Sequence, residues 1–188
     1  MKQIIYILCF CCMLSSCGLP YCKKHQFTQE DLEWISAYNE NDTILFRSEN
    51  KTDTLIIESK EVYNPKNTFI FDCSGCNWIL GDNEFYAIAS IDFSLIHDSV
   101  KYNGGFTIRK IEKYEPAKIN LYMGGLYSID YLEINNHTVT LDRNTNAELG
   151  KHQLIMNLKE ISYSKHEGIT TYKMLDGSIY TFDTILTR

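Results

Sequence analysis

The residues whose spacing best suits chemistry are Cys73 and Cys76, in the run Phe71-Asp72-Cys73-Ser74-Gly75-Cys76-Asn77-Trp78. A C-x-x-C pair exchanges disulfides when its first thiolate is exposed at a helix N-terminus with a depressed pKa. The second thiol then resolves the mixed disulfide. That chemistry needs a strand over 68–72 and a helix opening at Cys73. The residues that follow, Asn77 to Asn83, break up within a few positions, and the βαβ setting that makes the motif specific is missing. We therefore expect Cys73 and Cys76 to be a local disulfide closing a Ser-Gly turn in an oxidising compartment, or bystanders. The alternative is a thiol–disulfide oxidoreductase, with Cys73 as nucleophile and Cys76 as resolver. Cys22 and His25 with Cys73 and Cys76 would make a zinc-type donor set, but their spacing matches no compact finger. Neither a metal nor a cofactor is expected.

Other catalytic patterns are weaker still. No Gly-x-Ser-x-Gly elbow occurs, so the serines have no nucleophile scaffold. His97-Asp98 and His166-Glu167 are adjacent pairs rather than ligand spacings, and no second His follows His166 at zincin spacing. Gly104-Gly105 and Gly124-Gly125 lack the Lys and helix of a phosphate loop. Aromatic residues offer a binding alternative. Tyr122, Tyr127 and Tyr131, with Tyr163, Tyr172 and Tyr180, could line a ligand cleft, because a ring stacks while its hydroxyl bonds. The first place to look is Tyr122, Gly124, Gly125 and Tyr127, where glycine lets a ligand approach the backbone.

These residues sit in 188 positions that are 44% hydrophobic, 13% aromatic and 22% charged, with a net charge of −6. That composition excludes a disordered chain and a multi-span membrane protein. The acidic balance argues against nucleic acid as a partner. Lys2 followed by the apolar run 4–14 is too short to span a bilayer and reads as a signal peptide. It ends in Leu14-Ser15-Ser16-Cys17-Gly18, which resembles the lipobox of bacterial lipoproteins. The resemblance implies cleavage before Cys17, a diacylglycerol on its sulfur and acylation of the new amino group, hence a membrane tether. Residues 18–29 contain no Asp or Glu. By analogy with lipoproteins of the Bacteroidota, this implies that the protein faces the periplasm rather than the cell surface, and Gly18 rather than Asp after the Cys resembles lipoproteins sent onward to the outer membrane.

The expected organisation is a signal peptide over 1–16, a lipidated Cys and tether over 17–28, and one β-rich domain over 29–188. One helix should open that domain. Thr28 caps it, Asp31 completes a capping box, and Leu32, Trp34, Ile35 and Ala37 or Tyr38 form its apolar face before it ends near Asn39. Strands are predicted over 43–47, 54–58, 68–72, 85–93, 105–112, 118–123, 128–134, 138–142, 160–164, 169–175 and 178–183. Turns fall at Asn103-Gly104-Gly105, Gly124-Gly125, Asn135-Asn136 and Asp176-Gly177. Some ten short strands with no alternating helices predict an antiparallel β-sandwich or open barrel. The 13 Tyr and an excess of Ile over Ala fit sheet packing.

The runs Leu32-Glu33-Trp34, Tyr38, Asp42-Thr43-Ile44-Leu45-Phe46 and Ile161-Ser162-Tyr163-Ser164-Lys165-His166-Glu167-Gly168-Ile169 resemble small Bacteroidota lipoproteins of unassigned function. The resemblance implies an extracytoplasmic β-rich domain and brings no activity with it. The expected role is a non-enzymatic binding or interaction module of the envelope, anchored by lipid, with an unknown protein, small-molecule or glycan partner.

Overall fold

The computed structural model describes residues 23–49, 51–65, 84–151 and 154–186. Cys17, Cys22, Cys73, Cys76 and the strand expected over 68–72 lie outside the described residues. The chain divides into two units, one of residues 1–24 with 66–85 and one of 25–65 with 86–188. In the smaller unit, β1 (Lys23–Lys24) pairs in parallel with β4 (Glu84–Phe85).

The larger unit is one antiparallel sheet of eleven strands curled into a nearly closed barrel. Its strands are β2 (Thr43–Arg47), β3 (Thr52–Tyr63), β5 (Ala87–His97), β6 (Val100–Lys110), β7 (Lys118–Met123), β8 (Leu126–Ser128), β9 (Thr138–Asp142), β10 (Ala147–Leu149), β11 (Leu158–Ser164), β12 (Gly168–Met174) and β13 (Ile179–Leu186). The sheet order is β10-β8-β7-β6-β5-β3-β2-β13-β12-β11-β9. Its two edge strands, β9 and β10, are consecutive in sequence, and the short turn between them draws the edges together. The Met156 N–H donates to the Gly124 carbonyl at 2.8 Å, tying the approach to β11 onto the β7–β8 turn. Of the two expected architectures, the barrel is the one formed.

Alternating apolar side chains fill the interior. Leu55 and Ile57 of β3, Ala87, Ala89, Ile91, Phe93 and Leu95 of β5, and Phe106 and Ile108 of β6 all point inward and are buried. Each large apolar side chain so buried contributes about 1.5–3 kcal/mol. One end of the barrel is stoppered by α1 (Gln29–Leu32) and the 3-10 turn Glu33–Ile35. There Trp34 lies 6.3 Å from Phe106 and 6.4 Å from Tyr163, while Phe106 and Tyr163 stack at 3.9 Å.

Three local expectations are corrected. The helix is one turn long before tightening to 3-10 and does not run to Asn39. The Trp34 carbonyl accepts from the Tyr163 hydroxyl at 2.7 Å, so the oxygen that would continue the helical ladder is taken by the barrel. Asn103, Gly104 and Gly105 are no turn but the middle of β6. The glycines are there because side chains from neighbouring strands need the space: the Phe93 ring occupies the site of a Gly104 Cβ, and the Tyr122 ring that of a Gly105 Cβ. The real β5–β6 turn is Asp98-Ser99, with φ of 47° and 66°, a two-residue hairpin made without Gly or Asn. Finally, β8 ends at Ser128, and residues 129–134 run as a loop held by Leu132 N–H on the Ile119 carbonyl at 2.8 Å. The strands over 43–47, 118–123 and 138–142 form with the expected bounds.

Candidate functional site

A concavity opens at the α1 end of the barrel. The local sequence builds it from Thr28. The Thr28 hydroxyl accepts from the Asp31 N–H at 3.1 Å, and the Asp31 carboxylate accepts from the Thr28 N–H at 2.9 Å, a capping box. Asp31 does more than cap. Lys110, the last residue of β6, donates to its Oδ2 at 2.9 Å, and the Ala117 N–H donates to Oδ1 at 3.1 Å. Lys110 also donates to the Glu115 carbonyl at 2.6 Å. One carboxylate therefore fixes the helix, the end of β6 and the loop 111–117 at once.

The side chains of Asp31 and Lys110 are only 7% and 3% exposed. Burial pushes the Asp31 carboxyl up, but hydrogen bonds from Lys110, Thr28 and Ala117 outweigh it and hold its pKa below the usual value. Beside this pair, the buried Lys165 ammonium lies 3.0 Å from Glu33 and 3.3 Å from Glu30. Burial opposes charge on Lys165, yet the bonds from Glu33 and Glu30 win and raise its pKa, while the Lys165 bond lowers that of Glu33.

The cleft above these pairs has a volume of about 670 Å3. Trp34 lies at its floor, and Glu30, Tyr114, Ile134 and His137 stand on its wall. Tyr114 is 90% exposed, with the Lys113 ammonium 5.1 Å from its ring centre. The lining sets Glu30, Asp31 and Glu115 against Lys110, Lys113 and Lys165, so the site carries both signs in balance around an exposed ring.

The sequence-predicted tyrosines divide. Tyr163, Tyr172 and Tyr180 are buried in the barrel. Tyr122 and Tyr127 are half-buried on the outer face, where they form a cross-strand pair and stack at 5.3 Å. The Tyr122 hydroxyl donates to Asp92 at 3.1 Å, and burial with the Asp92 charge pushes its pKa up to about 12. Gly124 and Gly125 make the β7–β8 turn, with φ of 56° and 83°. The space above them is filled from within the chain. A Cβ on Gly124 would lie 2.7 Å from the Met156 Cβ, and one on Gly125 would lie 3.2 Å from Ile155. Tyr122 and Tyr127 thus form a surface strip, with the two glycines covered beside it.

The opposite end of the barrel, some ten residues or roughly 33 Å along β5 from Ala87, the strand partner of Lys110, holds a cluster that sequence spacing does not reveal. Asp53 faces inward at a position where Leu55 and Ile57 continue the apolar series. Its Oδ2 lies 2.7 Å from His97 Nδ1 and accepts from the Tyr172 hydroxyl. Tyr172 stacks on Tyr180 at 4.8 Å, and His97 meets the Tyr180 ring edge-on. Burial and the Asp53 carboxylate raise the pKa of Tyr172, which stays a donor. His166 and Glu167 lie in the β11–β12 turn, 6.2 Å from His137 for the His166 ring. Among the described residues no three potential metal ligands gather. No protein-family model, curated protein or solved structure matches the chain.

Proposed function

We propose that the chain is a lipid-anchored envelope protein acting as a non-enzymatic binding module, with the α1 cleft as its ligand site. The observation that carries this reading is the cleft itself: about 670 Å3 of space over a barrel stopper that the Asp31–Lys110 pair holds rigid. Sites of this size with a few convergent polar groups are the usual form of a small-ligand pocket. The buried ammonium groups are committed to neighbouring carboxylates, which suits recognition by a preformed surface. Balanced charge and the exposed Tyr114 ring favour a small organic ligand or glycan end with one apolar face and several hydroxyl or amide groups. The lipobox-like Leu14-Ser15-Ser16-Cys17 supports attachment through Cys17, and the lack of acid in 18–29 supports a periplasmic orientation.

Trp34 and Trp78 are the two tryptophans, so a Trp78→Phe chain reports from the cleft alone. Titration with soluble oligosaccharides and muropeptides should give a saturable change in Trp34 fluorescence. Tyr114→Ala or Glu30→Arg should weaken it at least tenfold. A flat signal with every probe contradicts the reading. Attachment is tested separately by fatty-acid labelling, which should disappear in Cys17→Ala.

A further inference from the structure

We propose that His97 is a proton-operated latch at the Asp53 end of the barrel, which draws the β5–β6 turn onto the barrel mouth when it is protonated. The geometry assigns a different partner to each ring nitrogen. Nδ1 lies 2.7 Å from the buried Asp53 carboxylate, an acceptor, so Nδ1 carries the hydrogen in the neutral ring. Nε2 then presents a lone pair. Its nearest charged neighbour is Asp98 Oδ2 at 3.6 Å, too far for a hydrogen bond and with no hydrogen between them.

Protonation places a hydrogen on Nε2 and turns this approach into a charge-assisted bond. Asp98 sits in the exposed two-residue turn, and its carboxylate oxygens, already bonded by Lys51, keep lone pairs that can also accept from Nε2–H. The ring is held from the other sides. Tyr172 on β12 shares the Asp53 oxygen, and Tyr180 on β13 packs against the imidazole edge-on. Lys51, from the β2–β3 turn, donates to both Asp98 oxygens at 2.8 Å, and Asp176 lies in the β12–β13 turn with its carboxylate accepting from the Ser178 N–H at 2.9 Å. Burial raises the pKa values of Tyr172 and Tyr180, so neither hydroxyl ionises over the range in which an imidazole titrates.

The neutral state therefore has one imidazole bond, His97 to Asp53, while Lys51 and the β5–β6 ladder hold the turn. The protonated state has an imidazolium between two carboxylates, joining the turn to the buried cluster. Asp53 and His97 occupy inward positions where apolar side chains would pack at less cost, and departures of that kind are expected at working sites.

A double-mutant cycle on the full chain tests the latch, using His97→Gln, Asp98→Asn and both together, with thermal midpoints read at pH 5.5 and pH 8.0. The Lys51 pair lost in Asp98→Asn contributes equally in both arms and cancels. The expected coupling is a shift of about 2 °C at pH 5.5, small for a partly exposed pair in a chain of this size, falling to none at pH 8.0. Coupling that is equal at the two pH values, or larger at pH 8.0, overturns the proposal. Imidazole 15N spectra of the unmodified chain give an independent reading that needs no variant. They should show Nδ1–H with bare Nε2 at pH 8.0 and both nitrogens protonated at pH 5.5. The opposite tautomer at pH 8.0, or a ring that keeps one hydrogen at pH 5.5, overturns it.

Discussion

Asp31 Oδ2 and Lys110 Nζ lie 2.9 Å apart, joining a capping residue of α1 to the last residue of β6 in a nearly dry environment. The two are 79 positions apart in sequence, and between them they set the floor of the α1 cleft. A buried pair of this kind is strongly asymmetric toward mutation, because removing one member strands the charge of the other. Lys110→Met should cost about 3–5 kcal/mol. The double change Asp31→Leu with Lys110→Met should cost less than the sum of the single changes. Urea unfolding of the four chains measures this, and strict additivity would refute the pairing.

Acid should find the same residue. The Asp31 carboxyl binds its proton more weakly in the folded chain than in the unfolded one. Its contribution is thus complete above the unfolded carboxyl value, near pH 4, and is lost as pH falls through the lower folded value. The stability profile of Asp31→Asn should be flatter than that of the unmodified chain below pH 4. Parallel profiles would show that Asp31 is not the group responsible.

Tyr163 offers a way to loosen the cleft without touching its lining. Tyr163→Phe removes the hydroxyl that bonds the Trp34 carbonyl at 2.7 Å while leaving the stack on Phe106. The expected cost is about 1–2 kcal/mol, with a shift in Trp34 emission. An unchanged spectrum would mean that the 3-10 turn is held by packing alone.

Adjacent glycines in β6 should respond differently. Gly104→Ala drives a methyl group into the ring of Phe93, which is fully buried, and should destabilise by about 1–3 kcal/mol. Gly105→Ala meets the half-exposed Tyr122, which can swing outward at the loss of its bond to Asp92. The smaller effect should therefore be at Gly105, and thermal midpoints of the two variants will order them.

These glycines also show where sequence reading stops. Alternation in Thr43–Arg47, Lys118–Met123 and Thr138–Asp142 was legible because each strand buries one face and exposes the other. A capping box was legible because Thr28 and Asp31 are three positions apart. Asn103-Gly104-Gly105 reads as a turn for want of knowing that rings from β5 and β7 lie over it. Asp98-Ser99 carries no glycine to announce its positive φ. Asp31 with Lys110, and Asp53 with His97 and Tyr172, are contacts made by barrel closure and register, which no local spacing encodes. Tyr172 and Tyr180 look like ligand-facing aromatics in sequence, yet the inward side of the sheet claims both.

The most direct test of the α1 cleft as the ligand site is an amide-resonance titration of the 15N-labelled chain with the oligosaccharide or muropeptide that most changes Trp34 fluorescence. Shifts should concentrate in residues 28–34, 113–117 and 134–137 and saturate together. Shifts confined to Tyr122, Tyr127 and their strand neighbours, with the α1 end unmoved, would contradict the account.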